Sequence, residues 1–254
     1  MGTISWFLKT IIYLLGAIPD KHRIYKLQKK GDDLTARLFI RSKVRHWAIA
    51  MLRYAGVTVD VFGLENIPKG PVLFAPNHQS DWDIMIAETY LDQCGILAKQ
   101  ELSKIPLAKS WMDLLGIVYI DRNDARQSVK ALKACEKQLL EGHNFIIFPE
   151  GTRSRSEEIG EFKPGALRMA VRHGIPIIPV SIDGSYKIME ANKGKWIRPG
   201  HVIMTIQPQI ETAGFDKEAQ KAIGKTIRQS VIEARETGRR LYEEKKQSQE
   251  QNTV

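Results

Sequence analysis

A histidine and two aspartates stand together in NHQSDWD, residues 77–83, directly after the apolar run PVLFA. An imidazole oriented by a carboxylate is a general base able to take a proton from a hydroxyl. His78 and Asp83 are five positions apart. On one helix they would point about 140° apart and could not face each other. They meet only if His78 lies in a turn and Asp83 in the first turn of a following helix. Ser80 suits the N-cap of that helix, with Asp83 at N3, where a carboxylate reaches back. The same spacing therefore also describes a helix cap and nothing more. Of the two aspartates, Asp83 is the partner expected for His78, and Asp81 a solvated carboxylate. No separate nucleophile is evident: there is no G-x-S-x-G elbow, and neither Cys94 nor Cys135 lies beside a histidine. That favours direct transfer onto a bound alcohol over a covalent enzyme intermediate.

A second constellation is FPEGTRSR, residues 148–155. Gly151 allows close backbone approach, and Thr152 and Arg153 supply a hydroxyl and a guanidinium fork suited to phosphate oxygens. Glu150 would either bond a substrate hydroxyl or hold Arg153. DRNDAR, residues 121–126, adds Arg122 and Arg126, which either hold an anion or pair with Asp121 and Asp124 as a solvated helix start. Lys99, ending GILAK, is a further phosphate candidate. Other patterns are set aside. GKT at 224–226 resembles the end of a P-loop, but Ala219 stands where the first glycine belongs and the surroundings read as helix. His143, His173 and His201 are scattered, the cysteines fit no zinc spacing, and no metal is expected.

From Val57 onward, strands and helices alternate. VTVDVF, PVLFA, GILAK, IVYID, NFIIFP, IPIIPVSI and HVIMTIQPQI read as strands, several of them apolar on both faces. Between them, SDWDIMIAETYL, ELSKIPLAKSWMDLLG (breakable at Pro106), ARQSVKALKACEKQLLEG and PGALRMAVRHG read as helices, with a long charged helix over 216–246. The expected fold class is α/β, a mixed, mostly buried sheet flanked by helices. Three polar clusters, NHQSDWD, DRNDAR and EGTRS, fall at strand ends, where open α/β sheets gather their ligands.

The first 55 residues differ in texture. ISWFLKTIIYLLGAI, residues 4–18, is apolar but as a helix only about 22 Å long, short of a bilayer core of about 30 Å. It lacks the basic start and cleavage site of a signal peptide. Residues 32–55 read as an amphipathic basic helix. The 254-residue chain carries a formal net charge of +9, and residues 21–53 hold ten Lys/Arg against Asp32 and Asp33. Residues 1–55 are expected to form a hydrophobic and basic two-helix membrane anchor lying against anionic lipid on the cytoplasmic face, and residues 56–254 the α/β domain. A nucleic-acid module is the rival reading of the charge. It is disfavoured because the basic segment adjoins an apolar one with Trp6, and aromatics do not interleave as a base-stacking platform. The two cysteines suggest reduced, buried thiols.

With NHQSDWD, AKQEL, GIVYIDR, FPEGTRSR, FKPGALRMA and IPIIPVSIDG in this order, residues 55–210 resemble the 1-acylglycerol-3-phosphate acyltransferases of the glycerolipid acyltransferase family. The resemblance implies transfer of an acyl group from acyl-CoA or acyl carrier protein to the sn-2 hydroxyl of lysophosphatidic acid, giving phosphatidic acid. It implies His78 and Asp83 as the catalytic pair, and Glu150, Gly151, Thr152, Arg153, Arg122 and Lys99 as the phosphate-binding set. It implies no metal or tightly bound cofactor, and partners that are a lysophospholipid, an acyl thioester or its carrier protein, and a membrane surface. Bacterial members would lie at the inner membrane. Glycerol-3-phosphate or another lysolipid is the alternative acceptor. The tetrahedral oxyanion needs donors, for which backbone N–H groups near Asn77–Ser80 are the first candidates.

Overall fold

A computed structural model describes residues 2–91 and 94–251 of the chain. Three helices come first: α1 (Thr3–Gly16), α2 (Ile18–Lys29) and α3 (Asp33–Ala55). The helix α2 was not foreseen. Pro19 opens it at a position where a missing N–H costs nothing, and Gly31 ends the turn that follows. Asp32 caps α3 by accepting from Thr35 N–H, and Gly56 closes it in the left-handed conformation. No helix among the described residues is long and apolar enough to cross a membrane.

Seven strands follow, with helices between them: β1 (Val57–Phe62), β2 (Leu73–Pro76), α4 (Trp82–Tyr90), β3 (Cys94–Lys99), α5 (Pro106–Leu114), β4 (Val118–Ile120), α6 (Ala125–Leu140), β5 (Asn144–Ile146), α7 (Pro164–Arg172), β6 (Ile177–Asp183), β7 (Gly200–Ile206) and α8 (Lys217–Gln251). The segment before Pro106 is a short 3-10 turn, and the proline starts α5. The sheet order is β1-β7-β6-β2-β5-β3-β4. The strands β6, β2, β5, β3 and β4 are mutually parallel, whereas β7 is antiparallel to β6 and carries β1 with it. The mixed α/β sheet flanked by helices is as the sequence implied.

The doubly apolar strands divide two cores. One face packs Phe74, Ile146, Ile178 and Val180 against α3 and α4 residues Met51, Leu52, Trp82 and Ile86, with Trp6 of α1 included. The other packs Leu73, Phe145 and Ile177 against Cys135, Leu139, Leu167, Ile223 and Ile227. Cys135 is a buried free thiol, pushed up to about 12 by desolvation and therefore inert; the Cys94 side chain lies outside the described residues. Gly224 of the discarded GKT stretch has a packing role. A Cβ there would lie 2.2 Å from the Phe162 carbonyl oxygen, so only glycine lets α8 cross this segment so closely.

Because five strands run parallel, their carboxyl ends share one edge of the sheet. Along that edge come, in order, the residues after β6, the His78 turn after β2, the Glu150 turn after β5, Lys99 ending β3, and Arg122 after β4.

Candidate active site

Two amides first fix the turn after β2. The Asn77 side chain donates to Ile182 O at 2.9 Å and accepts from Ile182 N–H at 2.8 Å, completing the backbone pairing of β6. Gln79 accepts from Gly184 N–H at 3.0 Å. Both are fully buried. They hold the chain so that His78 leaves the strand while α4 starts at Trp82, the turn-then-helix arrangement that the five-residue spacing requires.

His78 Nδ1 and Asp83 Oδ2 then lie 2.8 Å apart. Asp83 is 0% exposed, and its carboxylate is saturated with donors. Oδ2 also accepts from the N–H groups of Gln79 at 2.7 Å and Ser80 at 2.8 Å, and Oδ1 from the Ser185 hydroxyl. The carboxylate oxygen facing Nδ1 can only accept, which fixes the Nδ1–H tautomer of the imidazole. The Nε2 nitrogen is left as the basic one and has no hydrogen-bond partner among the described residues. The imidazole stacks on Phe148, with centroids 4.1 Å apart and planes at 26°.

The spacing thus serves both purposes that the sequence left open. Asp83 reaches back to Ser80 N–H as a capping carboxylate would, and with the same oxygen orients His78. Ser80 is not the N-cap, however. That position is Asp81, which makes no side-chain cap bond. The Ser80 hydroxyl accepts from Trp82 N–H at 3.2 Å and donates to Glu190 at 2.6 Å.

The turn after β5 braces the first from the other side. Glu150, 5% exposed, accepts from His78 N–H at 2.7 Å and from Gly160 N–H at 3.2 Å. Burial pushes its carboxyl up, against the pull of those two N–H groups. A Cβ on Gly160 would stand 2.8 Å from Glu150 Oε2, so a larger residue there would displace this carboxylate. The structure therefore does not use Glu150 to hold Arg153. Both its oxygens point at backbone, and Arg153 is held elsewhere, by Asp81 and by Glu190 at 3.3 Å. Asp81 is exposed, as expected, yet paired.

Gly151 adopts φ +71°, and Thr152 is exposed on the same turn. The Lys163 ammonium hangs over it, 3.4 Å from where a Gly151 Cβ would be; FKPGALRMA contained this lysine, but nothing marked its placement. Lys99 and Arg122 are exposed on the same sheet edge, two and three strands from β2, or about 10 and 14 Å at the usual strand spacing. Partial enclosure lowers the Arg122 guanidinium somewhat and the Glu101 charge opposes this, leaving it cationic. Arg126 is the second residue of α6, and its backbone N–H donates to Asp124 at 2.8 Å; the helix start of DRNDAR is thus capped through the backbone. His78, Asp83, Glu150 and Arg153 thus form one bonded group, with Lys99 and Arg122 as outlying cations.

Two members went unseen in the sequence. Ser185 directly follows the IPIIPVSIDG block, a signal that was present but unread. Glu190 joins Ser80, the Asp81 N–H and Arg153, and only the fold brings it there. The oxyanion expectation is narrowed. The N–H groups of His78, Gln79, Ser80 and Asp81 are all committed to carboxylates, which occupies three of the four donors expected over Asn77–Ser80. Among the described residues no cluster of three or more His, Cys, Asp or Glu is arranged for a metal ion.

An apolar cavity of about 470 Å³ opens beside this group, within the range of small-ligand sites. Tyr13 and Trp47 of the N-terminal helices, Ile84 and Met85 of α4, and Trp111 of α5 wall it, and Asp81 stands on its rim. Asp81, capping α4, and Ile84, Met85 and Glu88 within it lie on one helix face, so the cavity runs along that helix away from His78.

A histidine–aspartate pair beside cations and an apolar cavity is an arrangement suited to acyl transfer, and comparison with known proteins points the same way. Residues 58–183 match the family described as Acyltransferase. The 1-acyl-sn-glycerol-3-phosphate acyltransferase of Pseudomonas aeruginosa is 31% identical over 186 residues, covering 71% of this chain and 72% of that protein. The chloroplastic enzyme of the same name from Arabidopsis thaliana is 31% identical over 200 residues, with 77% and 56% covered. The crystal structure of the 1-acyl-sn-glycerophosphate acyltransferase PlsC from Thermotoga maritima superimposes with a TM-score of 0.73 at 28% identity, covering 89% of this chain and 95% of that one. The chain belongs to the 1-acyl-sn-glycerol-3-phosphate acyltransferase family. It spans little more than half the length of its chloroplast relatives.

Proposed function

We propose that this protein transfers an acyl group from a thioester, acyl-CoA or acyl carrier protein, to the sn-2 hydroxyl of lysophosphatidic acid, forming phosphatidic acid for phospholipid synthesis. The observation that carries this reading is the His78–Asp83 pair, with Nδ1 held by the buried carboxylate, together with an apolar cavity whose lining includes the neighbouring Asp81. In this reading Nε2 takes the hydroxyl proton as the oxygen attacks the thioester carbonyl. The tetrahedral intermediate expels the thiolate, breaking C–S, and the imidazolium returns its proton to the leaving sulfur. Asp83 stabilises the imidazolium, and such base catalysis is worth about 10²–10⁴ in rate. The cavity takes an acyl chain. Arg153, Lys99 and Arg122, with the Gly151–Thr152 turn, receive the phosphate. No metal or tightly bound cofactor is required.

The same proposal divides the chain into a membrane-associating part, residues 1–55, and an acyltransferase domain, residues 56–254. Ile4, Phe7, Leu8, Ile11, Ile12 and Leu15 are exposed along α1, a larger apolar face than a soluble monomer normally shows. Lys26, Lys29 and Lys30 follow it in sequence. A bilayer with anionic lipid, at the cytoplasmic face, would cover that surface with the helices lying in the interface.

The test is acyl transfer by the purified full chain, with acyl-CoA and acyl carrier protein offered as donors and lysophosphatidic acid and glycerol-3-phosphate as acceptors. The expected product is phosphatidic acid. Exclusive use of glycerol-3-phosphate, or of a lysolipid without a phosphomonoester, would overturn the acceptor assignment.

A further inference from the structure

The segment Lys193–Arg198 serves neither the catalytic group nor the core, apart from one residue. Ile197 is buried in the main core, and the Arg198 N–H donates to Ile188 O at 2.9 Å. The Gly194 N–H closes onto Met189 O at 3.1 Å. The turn is therefore fixed at both ends. Between these anchors Trp196 stands 59% exposed. The other four tryptophans, Trp6, Trp47, Trp82 and Trp111, are buried or half-buried. Lys193, Lys195 and Arg198 flank it, all exposed, with no acid in the segment and no ion-pair partner among the described residues.

Its location gives this arrangement meaning. The Ile197 N–H donates to Thr3 Oγ1 at 2.9 Å. That bond places Trp196 beside the first turn of α1, where Ile4 is 81% exposed and Phe7 and Leu8 follow on the open face. Exposing a fixed tryptophan to water sacrifices the burial of a large ring. An indole bordered by cations is the composition favoured at the headgroup level of a membrane.

We infer that the Lys193–Arg198 turn is a second lipid-contacting site, planting Trp196 among the headgroups of an anionic bilayer beside α1. The inference rests on the membrane reading of α1 given above and extends it to a part of the chain nearly 200 residues away. The contact also bears on the catalytic group. The same excursion between β6 and β7 carries Ser185, which holds Asp83, and Glu190, which holds Ser80 and Arg153. Seating the turn at the interface sets the mouth of the site at the level where a lysolipid headgroup lies. An acidic protein would match the charge, but it would not account for the adjoining apolar face of α1.

The test uses the full-length protein with vesicles of phosphatidylcholine and phosphatidylglycerol, with and without brominated acyl chains. The Trp196 emission is isolated as the difference between wild type and Trp196→Phe. Bromolipid should quench that component. Trp196→Ala should bind anionic vesicles at least about tenfold more weakly. The Lys193→Ser/Lys195→Ser double variant should bind roughly thirtyfold more weakly, from about 1 kcal/mol per cation near such a surface. Neither variant touches the catalytic group, so both should keep wild-type transfer to lysophosphatidic acid dispersed in detergent. Wild-type vesicle binding with an unquenched Trp196 and an unaffected Trp196→Ala would overturn this inference alone, and would leave an acidic protein as the occupant. Wild type that binds no vesicles would overturn the membrane reading of α1 together with it.

Discussion

Replacing Asp83 by Asn tests how the imidazole is held. Asp83 Oδ2 receives three donors, His78 Nδ1–H and the N–H groups of Gln79 and Ser80, while Oδ1 receives only the Ser185 hydroxyl. An amide in this pocket must turn its oxygen toward the two backbone N–H groups, since its NH₂ would clash with them. His78 then still donates to that oxygen, and the Ser185 hydroxyl rotates to accept from the new NH₂. All four contacts survive, so the tautomer and the fold survive, and only the charge is lost. At about 4 Å and an effective dielectric near 20, an imidazolium–carboxylate pair gains about 4 kcal/mol. At 1.36 kcal/mol per decade, that is roughly 10³ in kcat. This is less than the about 10⁴ seen where the same substitution in a Ser-His-Asp site also imposes the wrong tautomer. The assay is thioester-dependent formation of phosphatidic acid, with the melting temperature measured in parallel. A folded variant within tenfold of wild type would refute the electrostatic role. One as inert as a variant lacking the imidazole would refute the orienting role given to Gln79 and Ser80.

Three further outcomes follow from the geometry. Ser185→Ala removes one of four donors to Asp83 and should lower kcat by roughly three- to tenfold, with about 1–3 kcal/mol lost in urea unfolding; an unchanged rate would remove Ser185 from the positioning group. Arg153→Ala should raise the acceptor KM while leaving kcat at saturation nearly intact, and an unchanged KM would count against its phosphate role. Glu88, walled in beside the apolar cavity with Oε1 unpartnered, is pushed up to about 8 by burial. A raised carboxyl keeps its proton in the fold while the unfolded chain gives it up, so wild-type stability should fall as pH rises from about 4.5 to 8, by on the order of 4 kcal/mol. Glu88→Gln should match wild type near pH 4 and exceed it progressively up to pH 8; equal stabilities across that range would show that Glu88 is not buried in the way described.

Much of this arrangement was legible in the sequence. Period-two and doubly apolar runs marked the strands, and polar clusters at their ends marked the edge where His78, Glu150 and Arg122 gather. Pro106, Pro164 and Gly142 punctuated helices where their backbone chemistry demands. The five-residue gap between His78 and Asp83 constrained them to a turn and a helix start. Other features were hidden for physical reasons. In α2 the average apolarity is low and a basic stretch masks the helical period. The antiparallel placement of β1 and β7 follows from long-range packing, which local pattern does not encode. That Glu150 bonds backbone and not Arg153 was hidden, because a sequence shows a carboxylate's charge but not which N–H groups occupy it. Glu190 lies 110 residues from Ser80, and no spacing rule connects them. Trp196 passed unnoticed because exposure is a property of the folded surface.

The most direct test of the central claim is acyl transfer by purified His78→Ala. The His78 backbone N–H and C=O, bound to Glu150 and Ser154, are untouched by that change, so the variant should fold and still bind lysophosphatidic acid. The account predicts phosphatidic acid formation at least about 10²-fold below wild type, in keeping with the loss of a general base, and no return of activity at higher acceptor concentration. A folded His78→Ala protein that forms phosphatidic acid at a rate near wild type would contradict it.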